Sequence, residues 1–237
     1  MKGILGKKLG MTQVFDEDGR LVPVTVIEGG PCPVLQVKTK ATDGYDAVLV
    51  GYGEKTEKRC TKPELGIFTK TKVTPKQIIR ELRTTPDESY EVGQAFDVDL
   101  FTPGDYVDVS GLSIGKGFQG GMKRWHWKGG RKTRGSMHHR APGSIGSSSD
   151  PSRVFKGHHL PGHMGNVLRT IQNLEVVEVD KENHLLLVKG SVPGKAGYVV
   201  VKAALKKKHK VKKVASQVEE KKEKKKEEKE KKPPKKQ

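Results

Sequence analysis

The sequence predicts a mainly β protein whose body is interrupted by one long arm. Short apolar segments of alternating polarity, separated by turn residues, occur between Met11 and Ser110 and again between Leu174 and Lys202. Residues 112–169, which lie between them, are rich in Gly, Lys, Arg and His and have no helical or strand period. Such a segment cannot bury a core of its own. We therefore expect a barrel closed from both halves of the chain, with the arm as a loop on its rim.

The individual strands follow from short apolar runs bounded by turn residues. The segments predicted before the arm are Met11–Phe15, Leu21–Glu28, Val34–Thr39, Ala47–Tyr52, Ala95–Leu100 and Tyr106–Ser110. Those predicted after the arm are Leu174–Val179, Leu185–Val188 and Tyr198–Lys202. The turn residues at 16–19 and 180–183 predict two hairpins. Pro23 predicts an edge or a bulge in the second strand, because proline cannot donate to a sheet.

Residues 54–94 break this strand rhythm and predict a small insertion on the side of the body. Thr74 is a suitable N-cap, Pro75 suits the first helical position, and Gln77 completes a capping box. Pro86 would stop a helix shortly before it. The pattern therefore predicts one short helix after Thr74.

The positive charge of the chain is concentrated in two segments. Net charge is +18, and residues 112–169 and 206–237 each carry +10, so the remaining residues carry −2. A near-neutral body with two cationic appendages predicts a polyanionic partner. The second appendage, 206–237, is a Lys/Glu-rich tail of low complexity, for which the composition predicts disorder and nonspecific attraction to polyanions.

Cysteine usage and hydropathy predict a cytoplasmic protein. Cys32 and Cys60 have no paired metal-ligand spacing and form no disulfide framework, which is typical of a reducing compartment. The N-terminus lacks the apolar region of a secretory signal, and no window approaches the length of a membrane span. We therefore expect no membrane partner.

The arm contains motifs of enzymes and metal sites, but each lacks a required group. The segment 115–120 matches GxGxxG, yet a dinucleotide site also needs a following helix and an acid about twenty residues on. The sequence after Gly120 indicates no helix, and the corresponding later stretch has no acid. The arm histidines have no Cys or Glu beside them to complete a metal site. Asp150 is the only acid in the arm, so no catalytic pair can be assembled there. We predict no enzyme activity, metal or cofactor.

The arm residues favour RNA as the polyanion. Glycines let backbone N–H groups approach phosphates closely, and Lys116 adds charge. Trp125 and Trp127 lie among cations; alternation would place both indoles on one side, which favours base stacking over core packing. An irregular arm has no recognition helix or ribbon for a DNA major groove, whereas it suits the clefts of folded RNA. The sequence therefore predicts an RNA-binding protein that does not bind DNA.

Three segments resemble one known family. The opening MKGILGKKLGMTQVFDEDGRLVPVTVIE, residues 101–124 (FTPGDYVDVSGLSIGKGFQGGMKR) and the arm stretch GSIGSSSDPSRVFKGHHLPGHMGN are similar to bacterial large-subunit ribosomal proteins of the universal L-three family. The signature positions in the second segment are held by Phe101, Asp108, Gly111, Ser113, Gly115, Lys116, Gly117, Gly120 and Arg124. The likeness covers about residues 1–205.

The resemblance implies a fold and a role. The body would be a closed six-stranded translation-protein-type β-barrel formed by 1–111 and 170–205, with a helical insertion at 54–94. The protein would sit in the ribosome, bind large-subunit (23S-type) ribosomal RNA near its 3′ end and act early in assembly. Neighbouring large-subunit ribosomal proteins would pack on the barrel. The arm tip would approach and brace the peptidyl transferase centre without catalysing peptide transfer.

Residue charge, polarity and the resemblance together give the candidate site residues. The candidate ribosomal RNA contacts are Lys116, Gln119, Lys123, Arg124, Trp125, His126, Trp127, Lys128, Arg131, Lys132, Arg134, His138, His139, Arg140, Ser144, Arg153, Lys156, His158, His159, His163, Asn166 and Arg169. The tip expected near the peptidyl transferase centre comprises Gly143, Ser144, Gly146, Ser147, Ser148, Ser149, Asp150 and Arg153.

The chain departs from the family in two places. Some bacterial members carry a methylated Gln at the tip, where this chain has Ser147–Ser149 and no Gln. The tail after about Lys206 extends past the usual end of the family. Two other functions stay open at this stage: a free RNA chaperone or assembly factor, which high-salt sedimentation would wash off the large particle, and a nucleotide-dependent enzyme based on GxGxxG.

Overall fold

The computed structural model describes residues 2–16, 18–84 and 90–207. The predictions for the Lys/Glu-rich tail beyond 207 lie outside the described residues. The strands are β1 (Gly3–Phe15), β2 (Leu21–Gly29), β3 (Cys32–Lys38), β4 (Ala47–Glu54), β5 (Lys76–Arg83), β6 (Ala95–Phe96), β7 (Tyr106–Leu112), β8 (Gly117–Gln119), β9 (Gly162–Met164), β10 (Leu168–Asp180), β11 (Leu185–Lys189) and β12 (Tyr198–Ala203). The α-helices are α1 (Lys40–Asp43), α2 (Lys62–Thr71) and α3 (Gly121–Trp125), with 3₁₀ turns at Glu57–Arg59 and Val98–Leu100. None of the described helices could cross a lipid bilayer.

Six antiparallel strands close into a barrel in the order β1-β12-β7-β10-β11-β2. This confirms the predicted fold class. Both predicted hairpins are present: Phe15 pairs with Leu21 across the β1–β2 turn, and Asp180 pairs with Leu185 across the β10–β11 turn. The first strand pairs with the last, so that Gly3 lies opposite Lys202. Closure leaves the barrel without an open strand edge.

The barrel core is built from alternate residues of its strands. Val107 and Val109 of β7, Val199 and Val201 of β12, and Leu186 of β11 are all buried. Side chains alternate between the two faces of a strand, so the period-two pattern of the sequence places one set inside. β-Branched residues suit this pleated, packed surface.

A second sheet lies beside the barrel, in the order β5-β4-β3-β6. The strands predicted at Val34–Thr39 and Ala47–Tyr52 are present, but they belong to this sheet and not to the barrel. The Tyr52 hydroxyl donates to the Glu28 carbonyl of β2 at 3.0 Å, and its ring meets the Tyr198 ring of β12 edge-on. These contacts fix the sheet on the barrel wall.

The helix predicted after Thr74 is wrong, because Lys76–Arg83 is strand β5. It pairs with β4 throughout, from Glu54 opposite Lys76 to Ala47 opposite Arg83. Tertiary pairing of a segment with adjacent β-branched residues overrides a local capping signal. The helix of this region is α2, and a capping box like the one predicted at Thr74 lies at its start. The Glu64 carboxylate accepts a hydrogen bond from the Thr61 N–H at 3.1 Å.

The position of Cys32 in the core gives a direct test of this packing. Its thiol is buried and donates to the Leu5 carbonyl at 3.3 Å, and burial raises its pKa to about 11. Because the thiolate is the reactive form, we expect iodoacetamide at about pH 8 to alkylate Cys60 and spare Cys32. Mass spectrometry of the digested protein measures this.

The Cys60→Ser variant provides the control for that experiment. It should stay unlabelled in the native state and take up one label in denaturant. Labelling of native Cys32 as fast as Cys60 in the unchanged protein would contradict the buried position.

Candidate nucleic-acid interface

The arm leaves the barrel between two paired strands, β7 and β10. Leu112 lies opposite Leu168, and Ser110 lies opposite Thr170, with their hydroxyl oxygens 2.8 Å apart. The closed barrel therefore brings the two ends of the arm together, as its placement inside the strand pattern predicts. A segment of more than fifty residues is anchored at both ends on one rigid wall.

Beyond the barrel the two limbs of the arm stay paired, and we call this part the stem (113–125 and 159–167). The N–H of Ser113 donates to the Val167 carbonyl at 3.0 Å, and that of Lys116 donates to the Met164 carbonyl at 2.9 Å. Strands β8 and β9 then pair from Gly117 to Gln119. Backbone hydrogen bonds therefore give the stem an order that composition alone does not indicate.

Gly165 permits the close approach of the two limbs of the stem. Its φ is +75°, and a Cβ at this position would lie 2.1 Å from the Ile114 carbonyl oxygen. A side chain is strained in this backbone region and would also meet backbone atoms. Glycine is therefore required here by both conformation and space.

A short helix follows Gly120, contrary to the expectation that no helix is present there. Helix α3 spans one turn, from Gly121 to Trp125, and ends at His126 with φ +59°. The strand-like alternation assumed for the two tryptophans is therefore wrong. The Trp127 ring packs over Gly121, where a Cβ would lie 2.2 Å from ring atoms. Glycines around this turn allow the chain to fold back on itself, and they also made the helix difficult to recognise in the sequence.

Four residues join the two limbs at the end of the stem; we call them the clasp (Arg124, Trp125, His159 and Leu160). The rings of Trp125 and His159 stack with centroids 4.1 Å apart and planes 7° from parallel. The indole N–H donates to the Leu160 carbonyl at 2.9 Å. The Arg124 guanidinium donates to the same carbonyl at 2.8 Å and lies 5.0 Å from the Trp125 ring. These side chains serve contacts within the arm.

The outer arm, residues 126–158, makes fewer internal contacts. Gly130 N–H donates to the His139 carbonyl at 3.2 Å, and a His139 ring nitrogen lies 2.9 Å from the Arg131 carbonyl. In the tip, the Ser144 hydroxyl donates to the Gly146 carbonyl at 3.3 Å. The outer arm therefore presents its polar groups outwards.

The cations of the arm, apart from the half-buried Arg124, are exposed, and none has a carboxylate partner among the residues that the structure describes. Of the candidate RNA-binding residues, only Gln119, Arg124 and Trp127 are half-buried, and the others are exposed. Among the residues that the structure describes, every ion pair lies in the body, as in Lys55–Glu64 and Lys181–Asp99. The charge of the arm is thus available to an external anion.

The acids of the chain lie mostly in the body, and most of them have hydrogen-bond or ion-pair partners there. Lys55 holds the pKa of Glu64 below its usual range, and Lys38 does so for Glu81. Within the described ranges, no group of three or more His, Cys, Asp or Glu side chains could hold a metal ion. The structure therefore separates a cationic arm from a body of balanced charge.

One feature that sequence reasoning missed is an apolar collar where the arm begins (Leu112, Ile114, Val167 and Leu168). Their exposed fractions are 55%, 57%, 43% and 69%. The alternation of Leu112 and Ile114 is visible in the sequence, but it would be interpreted as a buried strand face. Only the structure shows that these side chains are exposed.

The sequence is similar to one family of known proteins. The family model described as Ribosomal protein L3 matches residues 73–184. Large ribosomal subunit protein uL3 of Acetivibrio thermocellus is 54% identical over 207 residues, which cover 86% of this chain and 98% of the relative. The protein of the same name from Acaryochloris marina is 54% identical over 195 residues, 82% of this chain and 92% of the relative. That of Brachyspira pilosicoli is 51% identical over 213 residues, 90% of this chain and 98% of the relative.

Proposed function

The chain belongs to the ribosomal protein L3 family, and from that premise we propose that its arm binds large-subunit ribosomal RNA directly. Family membership makes the chain a structural constituent of the large ribosomal subunit and not an enzyme. Its place is in the ribosome, which in bacteria is cytoplasmic. The observation that carries the proposal is the exposed arm with eleven Lys and Arg residues against one acid.

The proposed mechanism has three parts, each assigned to a different region of the arm. The paired stem fixes the direction in which the arm leaves the barrel. Exposed Lys and Arg side chains neutralise phosphates and release condensed counterions, which supplies sequence-independent affinity. Glycine-rich backbone and histidine side chains donate to phosphates and 2′-hydroxyls in the irregular clefts of folded RNA.

The candidate residues divide between contact and positioning. Arg124, Trp125 and His159 act within the clasp, so we assign them first to positioning the outer arm. The exposed cations of the outer arm, among them Lys132 and Arg134, would contact phosphates. Preorganisation of the limbs lowers the ordering cost that a free loop would bear on binding.

A matched pair of triple variants tests direct RNA binding. Replacement of Arg131, Lys132 and Arg134 by Gln removes three exposed arm cations. If each contacts a phosphate, the slope of log affinity against log salt, which is negative, should become shallower by about 2 to 3. Filter binding to a large-subunit RNA fragment at several salt concentrations measures the slope.

The control variant removes the same charge from the body, at Lys58, Lys62 and Lys70, which are also exposed. It should change the slope by less than about one, because a cation that contacts no phosphate releases few condensed counterions. Equal slopes for the two triple variants would refute arm-directed binding.

The finer roles are also proposals: early action in assembly, packing of neighbouring ribosomal proteins on the barrel, and bracing of the peptidyl transferase centre by the tip. For the tip, we expect hydroxyl-radical cleavage from an iron chelate tethered through Ser148→Cys to fall on RNA of that centre. A Cys32→Ser/Cys60→Ser background confines the chelate to the tip. Cleavage confined to RNA remote from the centre would contradict this placement.

A further inference from the structure

A groove of about 600 Å³ lies where the arm leaves the barrel, between β5 of the second sheet and barrel strands β7, β10 and β12. Its lining includes the apolar residues Ile78, Leu112, Leu168 and Val200 and the aromatic residue Tyr198. Leu112 and Leu168 face each other across the strands and are 55% and 69% exposed. Contiguous exposed apolar surface of this kind marks a binding site more often than a free surface.

The polar groups around the groove favour an anion. Arg80 and Lys202 line it. Glu81 also lines it, but its carboxylate is bound by Lys38 and the Tyr45 hydroxyl. The groove therefore presents two cations beside an apolar and aromatic surface.

We propose that this groove holds an unstacked nucleotide of the large-subunit ribosomal RNA, with its base between the apolar walls and a neighbouring phosphate at Arg80 and Lys202. This proposal rests on the proposed function of the arm and assigns a second contact to the body. A nucleobase has apolar faces that stack on an aromatic ring, while the backbone beside it is anionic. The groove matches both properties within one site.

The position of the groove supports RNA as its occupant. It lies at the base of the arm, where Lys116 of the stem and Arg169 of β10 are exposed, so RNA that follows the arm arrives at the barrel here. An apolar segment of a neighbouring protein would also cover the two leucines. It would, however, leave Arg80 and Lys202 without anionic partners. RNA accounts for both the apolar walls and the charge.

Site-specific photocrosslinking in the assembled large subunit tests the proposal. The Leu168→p-benzoylphenylalanine variant should crosslink to ribosomal RNA on irradiation. A parallel Lys132→p-benzoylphenylalanine variant reports on the arm itself. Two results would overturn the groove assignment alone. One is a crosslink from position 168 to a ribosomal protein. The other is no crosslink from position 168 while position 132 crosslinks to RNA. Failure of the Lys132 crosslink would instead count against the proposed function of the arm.

Chemical probing gives a second measurement that does not depend on the probe residue being incorporated. In subunits with Leu168→Asp, one or a few bases should become several-fold more reactive than in unchanged subunits. Leu168 is largely exposed, so the barrel should tolerate the change. Arg59→Asp, in an exposed 3₁₀ turn that does not line the groove, is the control and should leave those bases unchanged. Identical reactivity in all three subunits would overturn the proposal.

Discussion

Gly165→Ala is expected to disorder the stem while the barrel stays folded. The new Cβ would lie 2.1 Å from the Ile114 carbonyl oxygen, at a residue with φ +75°. The left-handed conformation alone costs roughly 1–2 kcal/mol for a residue with a Cβ, and the clash with backbone adds to that cost. The stem has only a few hydrogen bonds with which to resist it. The limbs should separate rather than accommodate the methyl group.

Amide hydrogen exchange measures the result directly. The Lys116 and Asn166 amides, which are bonded across the stem, should lose protection, whereas barrel amides such as Val109 should keep theirs. Affinity for large-subunit RNA should fall on the order of tenfold, because the arm must then be ordered on binding. Gly120→Ala is the matched control: its φ is −69° and its Cβ would meet no atom within 4 Å. Unchanged stem protection in Gly165→Ala would show that the close approach is not required.

The strands of the body were predictable because their information is local. The buried valines alternate along β7 and β12, and turn residues separate the strands of each hairpin. The apolar period and the turn residues of the sequence therefore agree with the observed fold. The β5 segment shows the limit of this reasoning. Thr74 and Pro75 form a plausible helix start, yet β4 offers a pairing edge along the whole of Lys76–Arg83. A contact with a strand over twenty residues away cannot be inferred from a local signal.

The candidate site was also predictable only in part. Its location and charge follow from composition, which places the cations of residues 112–169 in one segment. The internal order of the arm does not, because it depends on contacts between limbs about thirty-five residues apart, such as Trp125 with His159. Gly, Lys and His carry little periodicity, so the one-turn helix and the paired stem leave no pattern in the sequence.

A substitution in the clasp is expected to have the second large effect on the arm, because Trp125 contacts partners inside the arm. Trp125→Leu removes the stacking on His159 and the indole hydrogen bond to Leu160. Aromatic pairs contribute about 0.5–1.5 kcal/mol beyond area burial, and a net hydrogen bond contributes about 0.5–1.5 kcal/mol. The free energy of opening the outer stem should therefore fall by roughly 1–3 kcal/mol. Hydrogen exchange of the β8 and β9 amides measures this change. Trp125→Phe, which can still stack, should retain part of this protection.

A double-mutant cycle separates positioning from direct stacking on a base. If Trp125 acts through the clasp, His159→Leu should lower RNA affinity nearly as much as Trp125→Leu, and the double variant should add little. If Trp125 instead stacks mainly on RNA, His159→Leu should leave affinity almost unchanged. The first outcome is expected, since the ring planes lie 7° from parallel and two donors converge on one carbonyl. The tryptophan identified in the sequence as an RNA contact would then act by holding the cations of the outer arm in place.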